Sequence, residues 1–177
     1  MNQTNFFKRN LWGLVALLPV TAAFGIVALD RTGYFDVRSP GQAVTAEPTQ
    51  WVAYSDAKLR LLNLVTTADL YDGEAKPVKL PDQVRAWRAV IEIQVSDQRS
   101  LDGCQLSLED SAGRVFGTQP SELSAVRMPP PTCTAEDKGL NTYQVTVLFV
   151  TPAEAKPVAV RVMRPAALPA YARLPAA

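Results

Sequence analysis

The feature that most constrains this chain is an apolar run over residues 11–29, LWGLVALLPVTAAFGIVAL, which contains 19 residues and no charge. As a helix with a rise of about 1.5 Å per residue, such a run just spans a hydrocarbon core of roughly 30 Å. Lys8 and Arg9 precede it directly, and basic residues stay on the cytoplasmic side of a membrane. The sequence therefore predicts a cytoplasmic N-terminus at residues 1–10, a single plasma-membrane helix at 11–29, and export of the remainder.

A cleaved signal peptide is the alternative interpretation of this segment. Residues 11–20 resemble the apolar region of a signal, and Thr21-Ala22-Ala23 is an acceptable cleavage site. The apolar character continues from Phe24 to Leu29, where a mature N-terminus would turn polar, and this continuation favours a retained anchor. Either interpretation exports the rest of the chain, and cleavage would release it as a secreted protein.

The composition excludes several classes of function. The chain has 18 basic and 17 acidic residues, a formal net charge of +1, which does not suit a nucleic-acid partner. It has no histidine, which excludes Ser-His-Asp and Cys-His catalysis and nearly all zinc and copper sites. We therefore expect a protein that is not an enzyme and that has no cofactor and no catalytic or metal-binding residues.

Both cysteines, Cys104 and Cys133, lie in the exported part. An even number of cysteines in an oxidising compartment favours a disulfide. The alternative is a redox-active or metal-bound pair, but the chain has no C-x-x-C spacing and no further soft ligand. We predict a structural bridge between the two.

Alternating apolar and polar residues predict strands throughout the exported part. The clearest alternation runs from residue 86 to residue 96, and Ser55-Asp56 is typical of a turn between two of the strands. LRLLNLV, within the second strand, could also be a short helix. The predicted strands cover residues 51–54, 58–66, 86–96, 104–109, 114–116, 142–149 and 158–162.

Short strands at this spacing predict a mainly β fold, an immunoglobulin-like antiparallel β-sandwich over residues 51–163 that follows the transmembrane helix. Residues 30–50 hold glycine and proline and little apolar periodicity, so we expect a stalk. Residues 120–139 are expected to form a long irregular connection tied down by the bridge. The Pro- and Ala-rich residues 164–177 are expected to be an extended or disordered tail.

A resemblance to known proteins rests on three segments and on a second Cys in a Pro-rich loop. The segments are RAWRAVIEIQVSDQ, CQLSLEDSAGRVFG and TYQVTVLFVTPAEAKPVAVRV. They resemble exported immunoglobulin-like domains of actinobacterial single-pass membrane proteins of unknown function. They are also loosely similar to the bacterial telomeric-repeat-binding-factor-like ectodomain family. The resemblance covers about residues 51–163 and rests on strand order, a D-x-x-G turn and the phrase F-V-x-P. It implies a fold and a location, and no catalytic or binding residue.

Two kinds of residue groups in the sequence are candidate sites. Acidic groups occur at Glu109-Asp110 and at Asp69, Asp72 and Glu74, but neither has the spacing of a calcium loop, so solvated turns are expected there. Aromatic residues in alternating runs are expected in the core. Trp51 and Tyr54 fit that pattern less well and are the candidate partner surface.

One anchor, one sandwich and no catalytic constellation predict a membrane-anchored, extracytoplasmic interaction domain. Its partners would be the lipid bilayer through residues 11–29 and other membrane or envelope proteins, as in an accessory subunit of an exporter or a respiratory assembly. The alternative is a ligand-binding or sensor ectodomain, with its site near the Pro-rich loop.

Overall fold

The computed structural model describes residue 15 and residues 17–28, 39–118, 120–128 and 130–177, and the chain divides into two compact units, 1–39 and 40–177. In the first unit, residues 17–28 are helical. Within the described ranges no helix has the length and apolarity needed to cross a membrane. The predicted cytoplasmic segment, both ends of the predicted transmembrane helix and residues 30–38 of the predicted stalk lie outside the described residues.

The described residues of the second unit contain nine strands and three short 3-10 helices. The strands are β1 (Gln42–Thr45), β2 (Val52–Tyr54), β3 (Ala57–Thr67), β4 (Val84–Val95), β5 (Gln105–Asp110), β6 (Val115–Gly117), β7 (Thr142–Pro152), β8 (Pro157–Met163) and β9 (Ala170–Pro175). The 3-10 helices are η1 (Gln98–Leu101), η2 (Ser121–Leu123) and η3 (Pro165–Ala167).

The strands form two sheets. Sheet I has the order β1-β9-β8-β5-β6, and sheet II has the order β2-β3-β4-β7. β1 runs parallel to β9, and the other neighbouring strands are antiparallel. One cluster of buried side chains from both sheets fills the space between them. The prediction of a mainly β, two-sheet sandwich is therefore confirmed.

The alternation that predicts each strand also fills the core. In β4, Ala89, Ile91 and Ile93 are fully buried and pack in one cluster with Leu108 and Val160 of sheet I. Successive side chains of a strand point to opposite faces, so the residues between them form the outer face of sheet II. Burying a side chain of the size of Ile91 or Leu108 contributes roughly 1.5–3 kcal/mol, so the core between the two sheets contributes strongly to stability.

The turn predicted at Ser55-Asp56 joins β2 to β3. Both residues have positive φ, 49° and 59°, as the tight turn of a two-residue hairpin requires. β3 is one strand from Ala57 to Thr67, interrupted by an irregularity between Leu61 and Asn63. LRLLNLV is therefore strand, and the helical alternative is wrong.

A second, smaller core lies on the outer face of sheet II. Leu70, Leu123 and Val126, from two connecting segments, pack there against Ala86 and Val150. The two segments are joined by a hydrogen bond of 2.7 Å from the Arg127 amide to the Tyr71 carbonyl. One half of this outer face is thus covered by the chain's own connections.

The sandwich extends beyond the predicted limits at both ends. β1 lies inside the predicted stalk 30–50, and β9 lies inside the predicted tail 164–177. β9 pairs with β1 on one side and β8 on the other, and its Ala172 and Leu174 are buried. A Pro- and Ala-rich composition weakens the strand signal, but pairing on both sides satisfies the backbone and overrides it. Within the predicted extended or disordered tail, residues 170–175 are therefore extended, and they form a paired strand of the sandwich.

Candidate interaction surface

The outer face of sheet I is built from the residues that alternate with its core positions. Leu106, Val160, Val162, Ala172 and Leu174 point into the core, so their strand neighbours point outward. Seven of these outward residues at the centre of the sheet define what we call the open face: Ser107 and Glu109 of β5, Ala159, Arg161 and Met163 of β8, and Tyr171 and Arg173 of β9. Neither cluster of buried apolar residues in the described part contains any of them.

Two arginines stand directly opposite each other on the open face, since Arg161 of β8 pairs with Arg173 of β9. Like charges in that position destabilise a sheet. Here the two side chains turn to different partners: the Arg173 guanidinium binds the carboxylate of Glu109, with Nε 3.0 Å from Oε1, whereas the Arg161 guanidinium lies 4.1 Å from the centre of the Tyr171 ring. The carboxylate of Glu109 thus offsets the charge of Arg173, and the repulsion between the two arginines is reduced.

The ion pair between Arg173 and Glu109 links β9 to β5, two strands that lie on either side of β8. Glu109 pairs with Ala159 of β8, which is in turn opposite Pro175 of β9, so a side chain that reaches from β9 to β5 must cross β8. Ala159 is 0% exposed although it points outward. A methyl group is small enough to lie beneath the pair, which explains its complete burial.

Trp51, one of the two predicted surface residues, is half-buried beside the uncovered half of the outer face of sheet II. The Arg60 guanidinium lies 4.5 Å from the centre of its ring and also donates to Glu92 at 2.6 Å. Arg60 is therefore already paired with a carboxylate as well as with an aromatic ring. Trp51 is accessible in part, but its cationic neighbour is neutralised.

Tyr54, the other predicted surface residue, belongs to the core and not to a partner surface. It is 6% exposed. Its hydroxyl donates to the Ala170 carbonyl at 3.2 Å and accepts from the Arg164 amide at 2.9 Å. Tyr54 is in sheet II, whereas Ala170 begins β9 and Arg164 directly follows β8 of sheet I, so this residue ties the two sheets together.

The predicted disulfide between Cys104 and Cys133 is confirmed, with a Cα–Cα distance of 6.1 Å. Cys133 is fully buried, and its carbonyl accepts a 2.8 Å hydrogen bond from the Tyr143 hydroxyl. Burial raises the pKa of Tyr143 to about 12, so this hydroxyl keeps its proton and remains a donor. The bridge fixes the long connection between β6 and β7 to the start of β5.

Gln98 of η1 holds the last part of that connection, and it was not singled out in the sequence. Its side chain is buried; Nε2 donates to the Asp137 and Leu140 carbonyls at 2.9 Å each, and Oε1 accepts from the Ala135 amide at 2.9 Å. All the hydrogen-bonding groups of one buried amide are thus used on backbone atoms. The alternation of apolar and polar residues in the sequence does not reveal such a role for a single buried Gln.

The acidic groups take part in turns. Asp72 Oδ1 accepts from the Glu74 and Lys76 amides, as expected for an exposed turn. Asp110, however, is 2% exposed, so the expectation of a solvated residue there was wrong. Burial alone would raise the pKa of Asp110, but hydrogen bonds from the Arg114 side chain and from the Arg114 and Ala112 amides outweigh burial and hold that pKa below its usual value.

An open cleft of about 620 Å³ lies where the connection leaves β6. Its walls are mostly apolar and come from β6, the ends of β4 and β7, and the start of the connection: Gln83, Val84, Val115, Phe116, Gly117, Pro120, Val150, Thr151 and Pro152. Thr151 Oγ1 accepts from the Trp87 indole at 3.0 Å and donates to the Pro152 carbonyl. The cleft therefore offers apolar contact, and the hydroxyl of Thr151 in its wall is already hydrogen-bonded within the chain.

Comparisons with known proteins add little to this geometry. No protein-family model matches the chain, and no curated protein matches it in sequence. Solved structures that match include an uncharacterized beta-sandwich protein from Clostridium difficile 630, 10% identical, which covers 77% of this chain and 95% of that chain with a TM-score of 0.44. Another is MPT63, a secreted protein from Mycobacterium tuberculosis, 12% identical, covering 75% and 98% with a TM-score of 0.41. The family resemblance stays a prediction.

Proposed function

We propose that this chain is a membrane-anchored, extracytoplasmic interaction domain that is not an enzyme and serves a larger membrane or envelope complex, such as an exporter or a respiratory assembly. The observation that carries the proposal is the open face. It presents two arginines, a tyrosine and a methionine on one face of sheet I, and protein interfaces are enriched in these three residue types.

Two features of the described residues support export and anchoring. The first is the Cys104–Cys133 bridge, because disulfides persist in oxidising compartments. The second is that residues 17–28 are helical and expose large apolar side chains; Phe24 is 75% and Leu18 69% exposed. Such exposed apolar surface marks a membrane or protein contact. A cleaved signal remains the alternative to a retained anchor.

The strand order supports the immunoglobulin-like part of the proposal. In that fold, strand B pairs with E in one sheet, and F lies between C and G in the other. Here β4 pairs with β7, and β8 lies between β5 and β9, in the same order along the chain. The disulfide departs from the antibody pattern, since it joins the segments that precede β5 and β7 instead of joining strands B and F.

Crosslinking of intact cells, followed by solubilisation in a mild detergent and native electrophoresis, tests the interaction. We expect the chain to migrate in an assembly larger than itself. A chain that always migrates alone would contradict the proposal. A reporter that is active only outside the cytoplasm, fused after Ala177, tests the orientation independently and should be active. The fusion must follow Ala177 because the Ala176 amide still donates to the Val158 carbonyl.

The cleft beside Pro120 favours a second candidate function, a ligand-binding ectodomain. Its position near the Pro-rich connection, its size and its apolar walls suit a small apolar ligand. The test is a thermal-shift screen of small apolar compounds against the wild type and Phe116→Ala. Stabilisation of the wild type alone would support this candidate, and equal responses of the two proteins would contradict it.

A further inference from the structure

We propose that Arg161 is the anchor point of the open face and that it binds an acidic side chain of a partner protein against the ring of Tyr171. This inference rests on the proposed interaction function and specifies its surface and the chemistry of its partner. The open face is distinct from Trp51 and Tyr54, the surface predicted from the sequence.

The first step of the argument is that Arg161 has a free binding edge. Its guanidinium lies over the Tyr171 ring at 4.1 Å, and among the described residues it forms no ion pair. Stacking covers one flat side of a guanidinium and leaves the N–H groups at its rim available. Those groups match the two oxygens of a carboxylate in a bidentate geometry.

The second step is that Arg161 is already held in place. Arg161 and Tyr171 are both half-buried, so part of the ordering entropy of a long side chain is lost before binding. Fully desolvated arginine and tyrosine side chains near the centre of a patch dominate binding energy. Arg161 lies on the middle strand of sheet I, β8, so it has this central position.

The third step concerns charge. Glu109 neutralises Arg173, which leaves one uncompensated positive charge on the open face, at Arg161. One positive charge beside apolar Met163 and Tyr171 complements a single carboxylate next to an apolar side chain. A nucleic-acid backbone would require a cluster of basic residues, whereas the open face carries a single uncompensated cation. The geometry therefore points to an Asp or Glu of a protein.

Site-specific photocrosslinking in cells that naturally produce the full chain tests the proposal. A benzophenone amino acid replaces Met163 on the open face or, as a matched control, exposed Gln94 on the outer face of sheet II. The same two probes are combined with Arg161→Glu, with Arg161→Gln, which removes the charge at similar length, and with Arg88→Glu, a reversal of an exposed arginine on sheet II. Non-reducing electrophoresis checks that each variant retains its disulfide.

We expect the Met163 probe to give a protein adduct and the Gln94 probe to give none. Arg161→Glu should reduce the adduct at least about tenfold, the factor that corresponds to about 1.4 kcal/mol. Arg161→Gln should reduce it in the same direction, and Arg88→Glu should leave it unchanged. Mass spectrometry should place the crosslink in a partner peptide that contains Asp or Glu.

Several results would overturn the proposal. An adduct that is insensitive to both Arg161 variants, or an adduct to lipid or to a second copy of this chain, would show that an acidic partner is not what binds. Adducts from the Gln94 probe alone would disprove the open face as the binding surface and leave the proposed interaction function intact. Adducts from neither probe, with no larger assembly on native gels, would remove both the inference and the proposed function.

Discussion

Removing the Cys104–Cys133 bridge should destabilise the sandwich by a predictable amount. The two cysteines are 29 residues apart, and the loop-entropy relation gives about 3.6 kcal/mol for closing a loop of that length in the unfolded chain. In the double variant Cys104→Ala/Cys133→Ala, truncation at the fully buried Cys133 should add about 1 kcal/mol. We therefore expect a loss of about 3.6 kcal/mol on reduction of the wild type and about 4.6 kcal/mol in the double variant.

Urea unfolding of the full chain in detergent, followed by tryptophan fluorescence, measures both values. The double variant is the control for the reducing agent, because reduction should lower the free energy of unfolding of the wild type and leave that of the variant unchanged. The free energy of unfolding of the double variant should fall more steeply with urea concentration than that of the oxidised wild type, since an uncrosslinked chain exposes more surface on unfolding. A difference below about 1 kcal/mol between oxidised and reduced wild type would refute the reasoning.

Three further predictions concern the contacts that hold the sandwich together. Gln98→Leu should lower the free energy of unfolding by about 3 kcal/mol, because three backbone groups lose their partner; urea unfolding measures it, and a loss below 1 kcal/mol would contradict it. Tyr54→Phe should cost about 2 kcal/mol in the same assay, because two backbone groups lose the hydroxyl, and should leave partner crosslinking unchanged. The lowered pKa of Asp110 means that its stabilisation is present above the unfolded value of about 3.9 and is lost as pH falls through the lowered folded value. Unfolding midpoints measured from neutral to acid pH should therefore fall less steeply for Asp110→Asn than for the wild type, and parallel curves would disprove this.

The strands that could be predicted are those in which apolar and polar residues alternate, because the alternation shows which face is buried. β4 is the clearest, with Ala89, Ile91 and Ile93 inward and polar or smaller residues between them. The hairpin at Ser55-Asp56 also follows from local chemistry, since its turn residues suit positive φ. In both cases the information lies within a few residues of the chain.

β1 and β9 could not be predicted in this way. QAVT and AYARLP are short and carry little apolar alternation, and each is a strand because of what lies beside it. Among the described strands, β1 is an edge strand next to β9, and β9 is held between β1 and β8. Such long-range pairing decides between strand and coil where local propensity is weak.

The open face was missed for the same reason. Arg161 and Tyr171 meet because β8 and β9 are neighbours, and Tyr171 belonged to a segment predicted to be a tail. Tyr54 shows the converse. It fits the alternating pattern less well than the other aromatic residues, yet its hydroxyl forms hydrogen bonds that join the two sheets. A sequence shows which residues lie on one face of a strand, and it does not show which strands share a sheet.

The most direct test of the exported, bridged domain is the state of its two thiols in living cells. Cells are quenched in acid, and their proteins are then denatured in the presence of a bulky maleimide, which modifies free thiols. The full chain is followed by its change in electrophoretic mobility. We predict no mobility change without prior reduction and two additions after it, because Cys104 and Cys133 are joined and the compartment is oxidising. Full modification of both cysteines without reduction would contradict export and the bridge together.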